Sequence, residues 1–277
     1  MQVSVVFSVI ALAVIVWAVI QYREKHRRKR LFAMSLSAEH IAILEKHVPL
    51  YTRLPQELRQ TLQGCIHYFL DEKAFVGRQG QEITDEIRLI IAANACLLIV
   101  NKPQKHFPGF ETILVYPDTY VAKQISYDGG VAVHEDSKRA GESWYRGPII
   151  LSLTDVIRGS SNDRDGHNVV LHEFAHKLDE ENGVMDGLPI LRESAHYKEW
   201  AQVLTREYDE FLNRVERGKN KVIDEYGAVC AVEFFAVATE SFFEKSSQMK
   251  ERLPELYQQL ETFYGLDPAQ WGSLDKP

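Results

Sequence analysis

Residues 168–179 read Asn-Val-Val-Leu-His-Glu-Phe-Ala-His-Lys-Leu-Asp, and their pattern decides both the local fold and the chemistry. Leu171, Phe174 and Leu178 recur at i, i+3 and i+7, the period of a helix that lays one stripe on a core. His172, Ala175, His176 and Asp179 fall on a different face, so the two imidazoles stand one turn apart. Asp165 and Asn168 are N-cap candidates, and Asn182-Gly183 is a fitting stop. The pentapeptide His172-Glu173-Phe174-Ala175-His176 is thus an H-E-x-x-H motif on an expected helix. Its residue types imply His172 and His176 as ligands of one Zn²⁺ and Glu173 as a general base.

Such a site needs a third protein ligand. Asp179, His196, Glu233 and Glu240 are the downstream candidates, and Glu233 is the choice. It lies in the strongly apolar run 226–243, where an acid is costly to bury unless a metal or cation compensates it. Glu240 lies two turns further along the same face and could hold a ligating histidine through its second ring nitrogen. Asp179 suits a supporting or capping role, because it lies too far along its own helix to join both histidines. Tyr226, seven residues before Glu233, is the candidate donor to a developing oxyanion. Cys230, three residues before Glu233, is read as a packing residue, with a redox-sensing thiol as the sharper alternative.

Residues 3–20 are uncharged and mostly apolar, long enough for a single transmembrane helix. A basic juxtamembrane linker over 21–34 follows, with Arg23, Lys25, Arg27, Arg28, Lys29 and Arg30. By the positive-inside rule this predicts a single-pass inner-membrane protein whose body, residues 35–277, faces the cytoplasm. Beyond residue 30 there remain 26 Lys/Arg against 38 Asp/Glu, a formal net charge of −12, which argues against direct nucleic-acid binding. Cys65, Cys96 and Cys230 are odd in number and lack C-x-x-C spacing, in keeping with free thiols in a reducing compartment.

Helical patterns run over 37–47, 55–70 and 84–99. Short strands are expected at 112–116, 131–134 and 149–153, separated by turns at Asp128-Gly129-Gly130 and Arg146-Gly147-Pro148. Further helices cover 193–216, 228–245 and 254–264. The expected class is α+β, mostly helical with a small β-sheet whose edge could receive a peptide as an added strand.

Four blocks taken together, Gly109–Asp118, Gly141–Pro148, Val169–Asp179 and Glu233–Val237, resemble the Mlc titration factor A family of zinc peptidases. The resemblance spans roughly residues 37–265. It implies that His172, His176 and Glu233 bind zinc, that Glu173 is the base and that Tyr226 assists. It also implies a zincin-like fold similar to the catalytic domain of anthrax lethal factor, aminopeptidase-type action on short peptides and, in enteric bacterial members, binding of the glucose-system repressor Mlc. A membrane-tethered protein that sequesters such a regulator, with structural zinc, is the alternative function. The thermolysin pattern would put an acid four residues after the third ligand, where Val237 stands, so Glu240 and Asp179 both remain candidates to support the ligands.

Overall fold

The computed structural model describes residues 2–102, 107–118, 120–128, 131–139, 141–143, 147–191 and 193–272. Gly129, Gly130 and Arg146 of the expected turns lie outside the described residues. The molecule is mostly helical. Helices α1 (Gln2–Phe32), α2 (Ala38–His47), α3 (Pro49–Arg53), α4 (Gln56–Glu72) and α5 (Asp85–Leu97) precede most of the strands. Then α6 (Leu153–Ser161), α7 (Val169–Asp179), α8 (His196–Glu216), α9 (Ala231–Glu244), α10 (Ser246–Arg252) and α11 (Pro254–Tyr264) follow them.

Strands β1 (Ala74–Gly77), β2 (Thr112–Tyr116) and β6 (Ile149–Ser152) are parallel neighbours, with Phe75 opposite Ile113 and Ile113 opposite Ile149. A short strand, β5 (Gly141–Ser143), joins β6 antiparallel and forms the sheet edge beside α7. Strands β3 (Tyr120–Asp128) and β4 (Val131–Arg139) make a separate antiparallel ribbon, longer than the run expected at 131–134. All four described residues of β6 are buried, which fits a strand covered on both faces.

The apolar stripe of α7 enters the core as its spacing requires. Phe174 is fully buried, its ring 4.9 Å from that of Phe107, 5.6 Å from Phe69 and 5.7 Å from Phe110. Asn168 caps the helix, its side chain accepting from Leu171 N at 3.2 Å, and Gly183 closes the short turn after it at φ +94°. With these anchors, the opposite face of α7 is held toward α9, the helix that carries the two acids.

The amino-terminal expectation is corrected. Among the described residues no helix is long and apolar enough to cross a membrane, so the single transmembrane helix and the single-pass inner-membrane placement both fall. The basic half of α1 is engaged with the body. Arg27 pairs with Glu24 at 3.1 Å, with Asp71 of α4 at 2.5 Å, and with Glu72, while Phe32 stacks obliquely on Tyr68 at 5.6 Å.

Candidate metal centre

Helix α7 presents His172 and His176 on the face away from the core, and the first turn of α9 brings Glu233 across from them. The two Nε2 atoms are 3.2 Å apart, and Glu233 Oε2 lies 3.0 Å from His172 Nε2 and 3.4 Å from His176 Nε2. These three atoms form the only group of its kind among the described residues. Ligand atoms at about 2.05 Å from a tetrahedral centre stand about 3.3 Å from one another, so the three separations fit the edges of a zinc tetrahedron. The donor set fits as well, with two imidazoles and one carboxylate leaving a fourth position.

The three candidate ligands shift one another's ionisation. Burial lowers the His176 pKa, and repulsion from His172 adds to this against the hydrogen bond from Glu233. For His172 burial acts the same way, but the carboxylates of Glu233 and Glu240 outweigh it and raise its pKa well above the ordinary imidazole value. Burial would raise the Glu233 carboxyl, yet its hydrogen bonds to both histidines hold it far below the usual carboxylate range.

The structure separates the two supporting candidates. Glu240 is buried, and its Oε1 hydrogen-bonds His172 Nδ1 at 2.8 Å while its Oε2 accepts from Asn168 N. That contact fixes the ring so that Nε2 faces the metal position. Asp179 touches neither histidine. It is fully buried and accepts from Gly187 N at 2.8 Å, clamping the loop after α7. Gly187 has φ +79°, and a Cβ there would lie 2.9 Å from Ala231 O at the start of α9, so the clamp also sets where Glu233's helix begins.

Glu173 is buried beside this cluster, close enough to act electrostatically on His172. Tyr226 sits in a 3₁₀ turn, Glu225–Ala228, and is 54% exposed, its ring 6.0 Å from the His172 ring. His196 begins α8, pairs loosely with Glu193 at 3.9 Å, and stands apart from the triad. Cys230 is exposed at the N-cap of α9 and not a packing residue, because the helix starts at Ala231 and not at Ala228. Sequence reasoning missed Lys177. It is buried on α7 and donates to Glu180 Oε1 at 3.0 Å. The i, i+3 spacing of Lys177 and Glu180 was the available signal.

A family model described as glucose-regulated metallo-peptidase M90 matches residues 22–265. The chain belongs to this metallopeptidase family. An uncharacterized protein from Synechocystis is 43% identical to this M90 member over 244 residues, covering 87% of this chain and 89% of that protein. Mlc titration factor A from Cronobacter sakazakii is 33% identical over 225 residues, covering 80% of this chain and 84% of that protein. The Escherichia coli protein of the same name is 33% identical over 228 residues with the same coverage. Membership in M90 implies a metal, and the triad on α7 and α9 is a group that could hold one.

Proposed function

We propose that this M90 metallopeptidase is a zinc-dependent peptidase of aminopeptidase type, with His172, His176 and Glu233 as ligands and Glu173 as general base. The observation that carries the reading is the convergence of the three ligand atoms, at separations that suit a tetrahedral metal, beside a buried Glu173. When bound, zinc would polarise the scissile carbonyl and make water a better nucleophile near neutral pH. Glu173 takes the proton of the attacking water and returns it to the leaving amine. Tyr226, exposed and beside His172, donates to the developing oxyanion. The edge of β5 beside α7, unpaired among the described residues, accepts the substrate backbone as an added strand.

The name of the Cronobacter and Escherichia relatives supports a second reading, in which this chain titrates a regulator similar to Mlc. Glu173→Ala distinguishes the two. The peptidase reading expects one zinc per chain by metal analysis in both proteins and hydrolysis of aminoacyl or peptide reporters only with Glu173 intact. Undiminished hydrolysis in the variant would falsify the base assignment. Retained capture of a regulator by the variant, with no hydrolysis by the parent, would instead favour titration.

A further inference from the structure

At the C-terminal end of α9, away from Glu233 in its first turn, a cleft of about 420 Å³ is walled by Arg53, Arg164, Lys245, Ser246, Gln248 and Trp271. Its volume falls in the range of roughly 300–1,000 Å³ that small-molecule sites occupy. Three cationic side chains line it, and among the described residues only Arg53 is committed to a close ion pair, at 2.9 Å from Asp163. Arg164 lies 3.8 Å from the same carboxylate and is largely exposed. Among the described residues the Lys245 side chain has no hydrogen-bond or ion-pair partner.

Two further side-chain placements shape the cleft. Ser246 lines the wall and offers its hydroxyl there as a hydrogen-bonding group. Lys245 is seated against Gly166, where a Cβ would come within 3.1 Å of Nζ and 3.2 Å of Cδ and Cε. With φ +73°, Gly166 suits the turn and also leaves the room in which the lysine lies.

The acid in the wall does not oppose an anion. Glu244 accepts from Gly166 N at 3.0 Å, His167 N at 3.1 Å and Asn168 Nδ2 at 3.1 Å, so its oxygens are turned to backbone and amide donors. Burial, with repulsion from Glu240 and Asp165, pushes its pKa well above the carboxylate value and favours the neutral form.

We infer that this cleft binds a small phosphate monoester, its phosphate held by Arg164, Lys245 and Ser246 and its organic part against Trp271 and Gln248. Guanidinium and ammonium groups with a hydroxyl donor match a dianionic tetrahedral group, and the volume exceeds what the phosphate alone fills. Glu244 and Asn168 connect the wall to Glu240 and so to His172, which places the ligand one hydrogen-bonded chain away from the metal centre.

Calorimetric titration of the full chain at fixed ionic strength tests the assignment without reference to peptidase activity. The probes are glycerol 3-phosphate, inorganic phosphate and sulfate. Saturable one-to-one binding is expected, tightest for the monoester. Arg164→Gln and Lys245→Gln should each weaken it about tenfold, and the double variant, checked for its fold by circular dichroism, should abolish it. Arg206→Gln, on α8 and outside the cleft, should leave it unchanged. No saturable binding up to about 20 mM would overturn the proposal. So would sulfate equal to the monoester, or binding undiminished in the double variant, each marking an adventitious ion only.

Discussion

Replacing Glu240 by Gln removes one charge and one acceptor at the point where the protein grips a candidate ligand. The carboxylate serves two donors, His172 Nδ1 at 2.8 Å and Asn168 N, whereas the amide has a single oxygen. If that oxygen stays with Asn168, the amide nitrogen faces Nδ1 and selects the tautomer whose Nε2 carries a proton and cannot ligate. If it turns to His172, two donors confront each other in a buried place, which costs about 1–3 kcal/mol. Either outcome opposes metal binding. Supporting carboxylates of this kind are worth about 10–100-fold in metal affinity, or about 1.4–2.7 kcal/mol. The upper part of that range applies here, because His176 Nδ1 is buried with no partner among the described residues and Glu240 alone tethers the pair. Competition between the purified chain and a zinc chelator with an optical readout measures the affinity. Asp179→Asn is the reference, since Asp179 touches neither histidine, and it should stay within about twofold of the parent. Should Glu240→Gln also lie within about twofold, the tethering argument is wrong.

Asp179 supplies a prediction of pH dependence. Burial raises its pKa from 3.8 to about 6, the Gly187 N–H offsetting part of the effect, and at about 1.4 kcal/mol per unit its ionisation costs the fold about 3 kcal/mol. Because the folded value is the higher one, the penalty is absent below about pH 4, grows as pH rises toward 6, and is complete above it. Asp179→Asn should therefore gain on the parent by up to about 3 kcal/mol between pH 4 and pH 7 in urea melts; a pH-independent gap would refute this. Phe174→Ala removes a ring enclosed by Phe69, Phe107 and Phe110 and should cost about 3–5 kcal/mol in the same melts. A loss below about 1 kcal/mol would mean that the cluster collapses to fill the space.

Where local chemistry dominates, the sequence was a good guide. The stripe Leu171, Phe174, Leu178 and the Asn168 cap placed α7, Pro254 placed α11, and Thr112–Tyr116 placed β2. The strand at Ala74–Gly77 was missed because four residues carry too little periodicity, and its place is set by pairing with β2. Helix α6 was missed because Leu153 reads as a continuation of the apolar strand, whereas Ser152 caps a helix there by accepting from Asp155 N. Glu233, chosen for its place in an apolar run, lies within 3.4 Å of both histidine Nε2 atoms, in a group that could hold a metal. The choice between Glu240 and Asp179 was not legible, since both are acids at sensible spacings and only the packing of α9 on α7 decides which one reaches His172. At the amino terminus, counting apolar residues suggested a span, whereas among the described residues no helix is long and apolar enough to cross a membrane and Arg27 of the same helix pairs with α4.

The split of the candidate ligands between α7 and α9 also dictates when during synthesis a metal can be held. His176 leaves the ribosome roughly sixty residues ahead of Glu233, an interval of about 3–12 s at elongation rates of about 5–20 residues per second. Throughout that interval the nascent chain has two imidazoles and no carboxylate to close the triad, and neither Glu240 nor the apolar face of α9 yet exists to hold α7. The centre is therefore a product of the last stage of folding, and a chain interrupted anywhere in α8 would carry the whole H-E-x-x-H motif without the means to use it.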